Sequence, residues 1–161
     1  ASRAGVKVDL IVRDTCRLRP GLPGLTENTQ VIGVIGRFLE HARIYYFQNN
    51  GDEEHFIGSA DLMKRNLESR VEVVTPVEDS KLRQELRLII DVQLSSRKHV
   101  WEMQSDGSYI ERKETSGKNL LSSQETFIQL AQKRMAAASK HQQAKLRKKL
   151  LDHFHNRLKH R

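Results

Sequence analysis

Arg43-Ile-Tyr-Tyr-Phe-Gln-Asn-Asn-Gly-Asp-Glu-Glu-His-Phe-Ile-Gly-Ser-Ala-Asp61 is the stretch that decides the fold. Four of its first six residues, Ile44-Tyr-Tyr-Phe47, are β-branched or aromatic, which suits a pleated, half-buried surface and predicts a strand over 43–48. Asn49-Asn-Gly-Asp52 is a turn signal and 55–58 reads as the returning strand, so the segment is a hairpin. The acids Asp52, Glu53 and Glu54 fall at that turn, where solvation is the better reading than a metal cluster. Gly58-Ser-Ala-Asp61 then leads from strand to helix, with Asp61 as the cap of a short helix running through Leu67. Such a small-residue turn exposes backbone N–H groups where anions are favoured, and Lys64, Arg65 and Asn66 follow it.

Working outward, 6–12 and 31–35 are short apolar runs that read as buried strands. Between them, Leu18-Arg-Pro-Gly-Leu-Pro-Gly-Leu-Thr26 must be a loop, since Pro fixes φ and Gly tolerates positive φ. On the other side, 71–75 returns as a strand and 80–94 carries helical periodicity through Leu82, Leu86, Ile89 and Ile90. The segments 100–103 and 109–110, flanking Ser105-Asp-Gly107, predict a second hairpin. Strands mixed with helices on a Val, Ile and Leu core make this an α/β chain, a sheet with helices packed on it.

Composition changes from Ser122 onward, where Gln, Ala, Lys and Leu dominate. Leu146, Leu150, Phe154 and Leu158 recur at spacing four, on what would be one stripe of a long helix. The chain therefore divides into 1–121, a folded domain, and 122–161, a basic helical extension. The net charge of +8 belongs to that extension. Residues 131–161 hold ten Lys or Arg and one acid, leaving 18 basic and 19 acidic residues before them. The basic balance is thus poor evidence that the folded part binds nucleic acid.

Cys16 is the single cysteine, so it has no partner in the chain for a disulfide, and the start lacks the pattern of a secretory signal. A cytoplasmic location is the expectation. No apolar run approaches the roughly 20 residues of a membrane span. The opening Ala-Ser-Arg-Ala-Gly-Val, which runs straight into a strand, reads like a piece of a longer chain.

Chemistry concentrates around Gly36-Arg-Phe-Leu-Glu-His-Ala-Arg43. His41 and Arg43 are two residues apart at a strand entrance, where period two puts both on one face. Imidazole titrates near neutral pH, and guanidinium carries paired donors that match phosphate oxygens, so phosphate is the natural substrate group for the pair. Arg13 sits past the first strand, where open α/β sheets place ligands, beside Asp14 as an alternative ion-pair partner. Arg70 and Glu72 share a face, and Glu72 either is solvated or orients His41. No Walker loop, CxxC, HExxH or GxSxG is present, which leaves zinc chemistry and serine hydrolysis without support.

Taken together, Arg3-Ala-Gly-Val-Lys-Val-Asp-Leu-Ile-Val-Arg13, Cys16-Arg-Leu-Arg-Pro-Gly-Leu-Pro-Gly24, Gly36-Arg-Phe-Leu-Glu-His-Ala-Arg-Ile-Tyr-Tyr-Phe47, Gly58-Ser-Ala-Asp61, Arg65-Asn-Leu67 and Arg70-Val-Glu-Val73 resemble blocks of the polyphosphate kinase family, in family order. The resemblance covers residues 1 to about 125 and implies the phospholipase D-like fold, a mixed sheet flanked by helices, with a long C-terminal helix beyond it. It implies reversible transfer of the terminal phosphate of ATP to inorganic polyphosphate, with magnesium, through a phosphohistidine upstream of this chain. Magnesium ligands would then lie outside the chain. His41 becomes a second histidine that binds nucleotide and donates a proton, held by Glu72, while Arg13, Arg43, Ser59 and Arg65 contact ATP or phosphate. The resemblance further implies contact with the enzyme's other domains, a homo-oligomer when full length, no specific nucleic acid and no activity of this piece alone.

Three positions depart from the family. Asp14 stands where Gly is usual, and Leu62-Met63-Lys64 stands where Trp-Met-Pro is common. Relative to phospholipases D, Arg43 replaces the Lys of His-x-Lys and Gln48 stands where Asp would follow five residues later. Two alternatives therefore trail: a homodimeric phospholipase D-like phosphodiesterase, which the missing Asp disfavours, and a non-enzymatic polyanion binder using the basic tail.

Overall fold

The computed structural model describes residues 1–113 and 121–159. They make seven strands and three α-helices: β1 Val8–Ile11, β2 Thr29–Val34, β3 Ile44–Phe47, β4 Glu54–Gly58, α1 Lys64–Ser69, β5 Val74–Pro76, α2 Ser80–Ser95, β6 Val100–Met103, β7 Tyr109–Glu111 and α3 Ser123–Lys159. The chain splits into two compact units, Ala1–Ser123 and Gln124–Arg161.

The strands form two sheets, one mixed and four-stranded in the order β1-β2-β6-β7, the other antiparallel in the order β3-β4-β5. β1 runs parallel to β2, with Val8 opposite Thr29, and β6 and β7 add on antiparallel. The expected 43–58 hairpin is present, but as the heart of its own sheet and not as an extension of the first. The reason lies in β2, whose two edges are already taken by β1 and β6, leaving no ladder for β3 to join. The third strand of that second sheet is β5 at 74–76, later than the 71–75 read from the sequence; it pairs only with β4 and holds Pro76 on the sheet's edge, the position a residue without N–H tolerates.

Burial follows the apolar pattern. Val31, Ile32, Val34 and Val100 are buried, with Ile11 and Leu94 packed on the cluster. Each such side chain contributes about 1.5–3 kcal/mol on removal from water. Leu94 belongs to α2, so this helix is fastened to the mixed sheet. The same helix reaches the second sheet as well: the Arg87 guanidinium lies 4.4 Å over the Tyr46 ring, and Arg83 donates to the carbonyls of Val77 and Glu53. Asp79 caps α2 by accepting from the N–H groups of Lys81 and Leu82, and Arg112 closes the other end on the carbonyls of Leu94 and Ser96.

Gly58 sits at a close approach. A Cβ there would meet the side chains of Tyr45 on β3 at 3.2 Å and Val74 on β5 at 3.3 Å, so a larger residue requires both to shift by a few tenths of an ångström. In the second unit, α3 is exposed from 131 to 145. The stripe of Leu146, Leu150, Phe154 and Leu158 lies outside the described side chains.

Candidate functional site

The site gathers at the ends of strands from both sheets. Arg13 follows β1, His41 and Arg43 sit in the loop that leads into β3, and Asp61 follows β4. Asp61 is where the structure departs most from the sequence reading, for it does not cap α1. That helix begins with Met63 at its N-cap and no side-chain cap bond. The Asp61 carboxylate instead accepts from Arg43 Nε at 3.0 Å through one oxygen and from Arg13 Nη2 at 3.4 Å through the other. Two charge-assisted bonds to guanidinium groups outweigh a single bond to a backbone N–H.

Arg43 continues the chain of contacts. Its Nη1 lies 3.0 Å from His41 Nδ1, so His41 and Arg43 converge as expected, although from a loop and not from strand alternation. A guanidinium only donates. His41 Nδ1 therefore accepts, and the ring hydrogen sits on Nε2, the nitrogen directed away from Arg43. The exposed ring thus offers an N–H to an incoming anion. Outright delivery of that proton would first require Arg43 to release Nδ1, because an imidazolium would set donor against donor.

Arg13 is fixed independently by donation from Nη1 to the Glu40 carbonyl at 3.1 Å. The Glu40 side chain accepts from the buried Gln93 of α2 at 3.1 Å, which ties the His41 loop to the helix. Asp14 is turned elsewhere: its carboxylate accepts from the N–H of Thr15 and is exposed, so the additional acid does not neutralise Arg13.

The partners of Glu72 are Ser59, whose hydroxyl donates to it, and Asn66, whose amide donates at 2.9 Å. These bonds, that from Ser59 first, hold the Glu72 carboxyl below its ordinary range. Glu72 therefore does not hold His41 by a direct bond; it braces the turn between β4 and α1 from which Asp61 projects. Ser59 is committed to the same task, since its Oγ also accepts from the N–H of Val73 and its own N–H donates to the Val73 carbonyl at 3.0 Å. The hydroxyl and N–H of Ser59 are thus spent on internal bonds. Arg65 is exposed on α1 and is not drawn into the cluster.

The electrostatic balance favours anions. Arg43 and Arg13 carry two positive charges against one on Asp61, whose carboxyl is held below its ordinary range, foremost by the hydrogen bond from Arg43. The same arrangement leaves a poor magnesium donor set. Among the described residues no group of three or more His, Cys, Asp or Glu is placed to hold a metal ion, and the one carboxylate at the site's centre is already shared by two guanidiniums.

A family model described as polyphosphate kinase C-terminal domain 2 matches residues 1–124, a span that contains every residue of this cluster. The chain belongs to that family. It is 54% identical over 127 residues to a polyphosphate kinase of Synechocystis, covering 79% of this chain and 17% of the relative. With a polyphosphate kinase of Pseudomonas aeruginosa it shares 47% over 129 residues, covering 80% and 19%. A crystal structure of polyphosphate kinase from Porphyromonas gingivalis superposes with a TM-score of 0.78 at 37% identity, over 84% of this chain and 21% of that one. The chain thus spans about a fifth of the relatives it matches. The α/β fold read from the sequence is that of this polyphosphate kinase domain. Among the described residues no helix is long and apolar enough to cross a membrane.

Sequence reasoning missed Asp61, Glu40 and Asn66 as site-building residues. Asp61 lies 48 residues from Arg13 and 18 from Arg43, and no local pattern reports a partner that distant. One signal was available: Asp61 is the one carboxylate of the Gly-Ser-Ala-Asp turn, at the end of the hairpin that begins with Arg43.

Proposed function

We infer that the chain is the C-terminal part of a cytoplasmic polyphosphate kinase, with residues 1–121 as its domain and 122–161 as a basic extension. The whole enzyme reversibly transfers the terminal phosphate of ATP to inorganic polyphosphate. The phosphate-accepting histidine comes from elsewhere in the enzyme, which is oligomeric when complete. The observation that supports this reading is the Arg13–Asp61–Arg43–His41 cluster, a cationic, partly exposed group inside a polyphosphate kinase domain.

Phosphoryl transfer depends mainly on positioning and on neutralising the oxygens of the transferred group and leaving group. Arg13 and Arg43 take those oxygens with their remaining N–H groups. As the bond between the terminal phosphorus and the bridging oxygen of ATP breaks, charge grows on that oxygen, and the His41 Nε2–H donates a hydrogen bond to it. A diphosphate is a good enough leaving group that hydrogen bonding suffices. Arg65 adds attraction for the polyanion from α1, while Ser59 and Glu72 keep the Asp61 turn in place.

The full-length enzyme, incubated with ATP and magnesium, is expected to form long-chain polyphosphate, and this chain alone to form none. Absence of product from the full-length enzyme, or comparable synthesis by the isolated chain, contradicts the reading.

A further inference from the structure

Asp61 lies at the junction of the two sheets, in contact with both arginines and one residue removed from the histidine. We propose that Asp61 is a positioning residue that clamps Arg13 and Arg43 into a single phosphate-binding pair and, through Arg43, sets which nitrogen His41 presents to substrate. This rests on the polyphosphate kinase reading and adds to it a residue that touches no substrate.

Two guanidinium groups brought to one place repel each other, and an intervening carboxylate makes their proximity favourable. Asp61 does so with one oxygen for each, at 3.0 Å and 3.4 Å. Holding Arg43 by Nε fixes the plane of its guanidinium, which aims Nη1 at His41 Nδ1 and leaves both Nη2 hydrogens for a ligand. Arg13, held by Nη2 on Asp61 and Nη1 on the Glu40 carbonyl, keeps Nε for the same purpose. Without the carboxylate, Arg13 keeps only its bond to the Glu40 carbonyl, and Arg43 loses the Nε bond that fixes its plane and aims Nη1 at the His41 ring.

The surroundings distinguish this from a bond that merely supports the fold. The Asp61 side chain is 25% exposed, and the neighbouring Leu62 and Met63 are exposed, so truncation leaves no buried void. Asp61 does not cap α1, so its loss does not uncap a helix. Catalysis should therefore suffer more than stability.

The test uses the full-length enzyme, with the Michaelis constant for ATP, the turnover number and the thermal midpoint measured side by side. Asp61→Ala should raise KM for ATP and lower kcat, each by about tenfold, while the midpoint moves little. Asp61→Glu, which keeps the charge, should recover part of the loss. Because Asp61 acts through the arginines, Asp61→Ala should cost little further in an Arg43→Ala background. Wild-type constants in Asp61→Ala, or losses that simply multiply in the double variant, overturn the proposal. If Asp61→Ala does not fold, Asp61→Asn, of the same shape, carries the same comparison. An inactive wild-type enzyme would instead overturn the polyphosphate kinase reading, so the two failures are told apart.

Discussion

His41 and His55 lie fourteen positions apart, either side of the same hairpin, yet they occupy opposite environments. His41 is exposed, and one ring nitrogen is held by Arg43 so that the other is free to meet a ligand. His55, on β4 opposite Tyr46, is only 2% exposed, and neither ring nitrogen has a hydrogen-bond partner among the described residues. Its ring packs 5.0 Å from that of Tyr46, beneath the α2 arginines. Burial pushes the His55 imidazole below its ordinary range; the charge of Glu53 opposes that shift, and those of Arg83 and Arg87 add to it in smaller measure. An arginine near a histidine thus has two meanings. In one case the guanidinium donates to the ring and orients it; in the other it stands off and disfavours a charge there.

The sharpest way to break this comparison is at Arg43. Arg43→Ala in the full-length enzyme should lower kcat/KM for ATP by about 10²- to 10³-fold, the scale on which a preorganised donor acts. Arg43→Lys should recover little, because an ammonium cannot hold Asp61 and His41 in one plane. Activity near wild type in Arg43→Ala would dissolve the distinction between the two histidines. Glu72→Gln should act more weakly, by about tenfold or less, since it loosens a turn rather than a substrate contact. A loss as large as that of Arg43→Ala would mean that Glu72 bears directly on the reacting groups.

How much of this was legible in the sequence varies with the range of the interactions. The 43–58 hairpin and α2 were legible because turn chemistry and apolar periodicity are local properties. The division into two sheets was not, because it depends on β6, whose residues pair with Ile32 to Val34 from 66 to 70 positions downstream, occupying the free edge of β2. His41 and Arg43 were visible as neighbours in sequence. Asp61 was misread for the converse reason: the local rule for a residue before a helix is capping, and the charges that override it come from Arg13 and Arg43. The partners of Glu72 were equally out of reach of local rules, since Ser59 and Asn66, which donate to its carboxylate, lie on the turn and helix before it.

The smallest effect expected concerns His55. Replacing a buried ring that has two unpaired nitrogens by one that has none removes a desolvation penalty, so His55→Phe should raise stability by about 1 kcal/mol and leave kcat/KM within about twofold of wild type. The sign of the pH dependence follows from the same burial. With its folded-state value lowered, His55 binds fewer protons in the folded protein than in the unfolded chain, so its contribution to stability weakens as pH falls below about 6.5. Denaturant unfolding between neutral pH and pH 5 should show this loss in the wild type and less of it in His55→Phe. A variant that is less stable at neutral pH, with an unchanged pH profile, would mean that the His55 ring is satisfied in the folded protein.

The most direct measurement is the rate of ATP-dependent polyphosphate synthesis by the full-length enzyme carrying His41→Ala, with its thermal midpoint recorded alongside. The account predicts a fall of about 10²-fold or more at an unchanged midpoint, because the exposed ring contributes to transfer and little to folding. Full activity in that variant would contradict it.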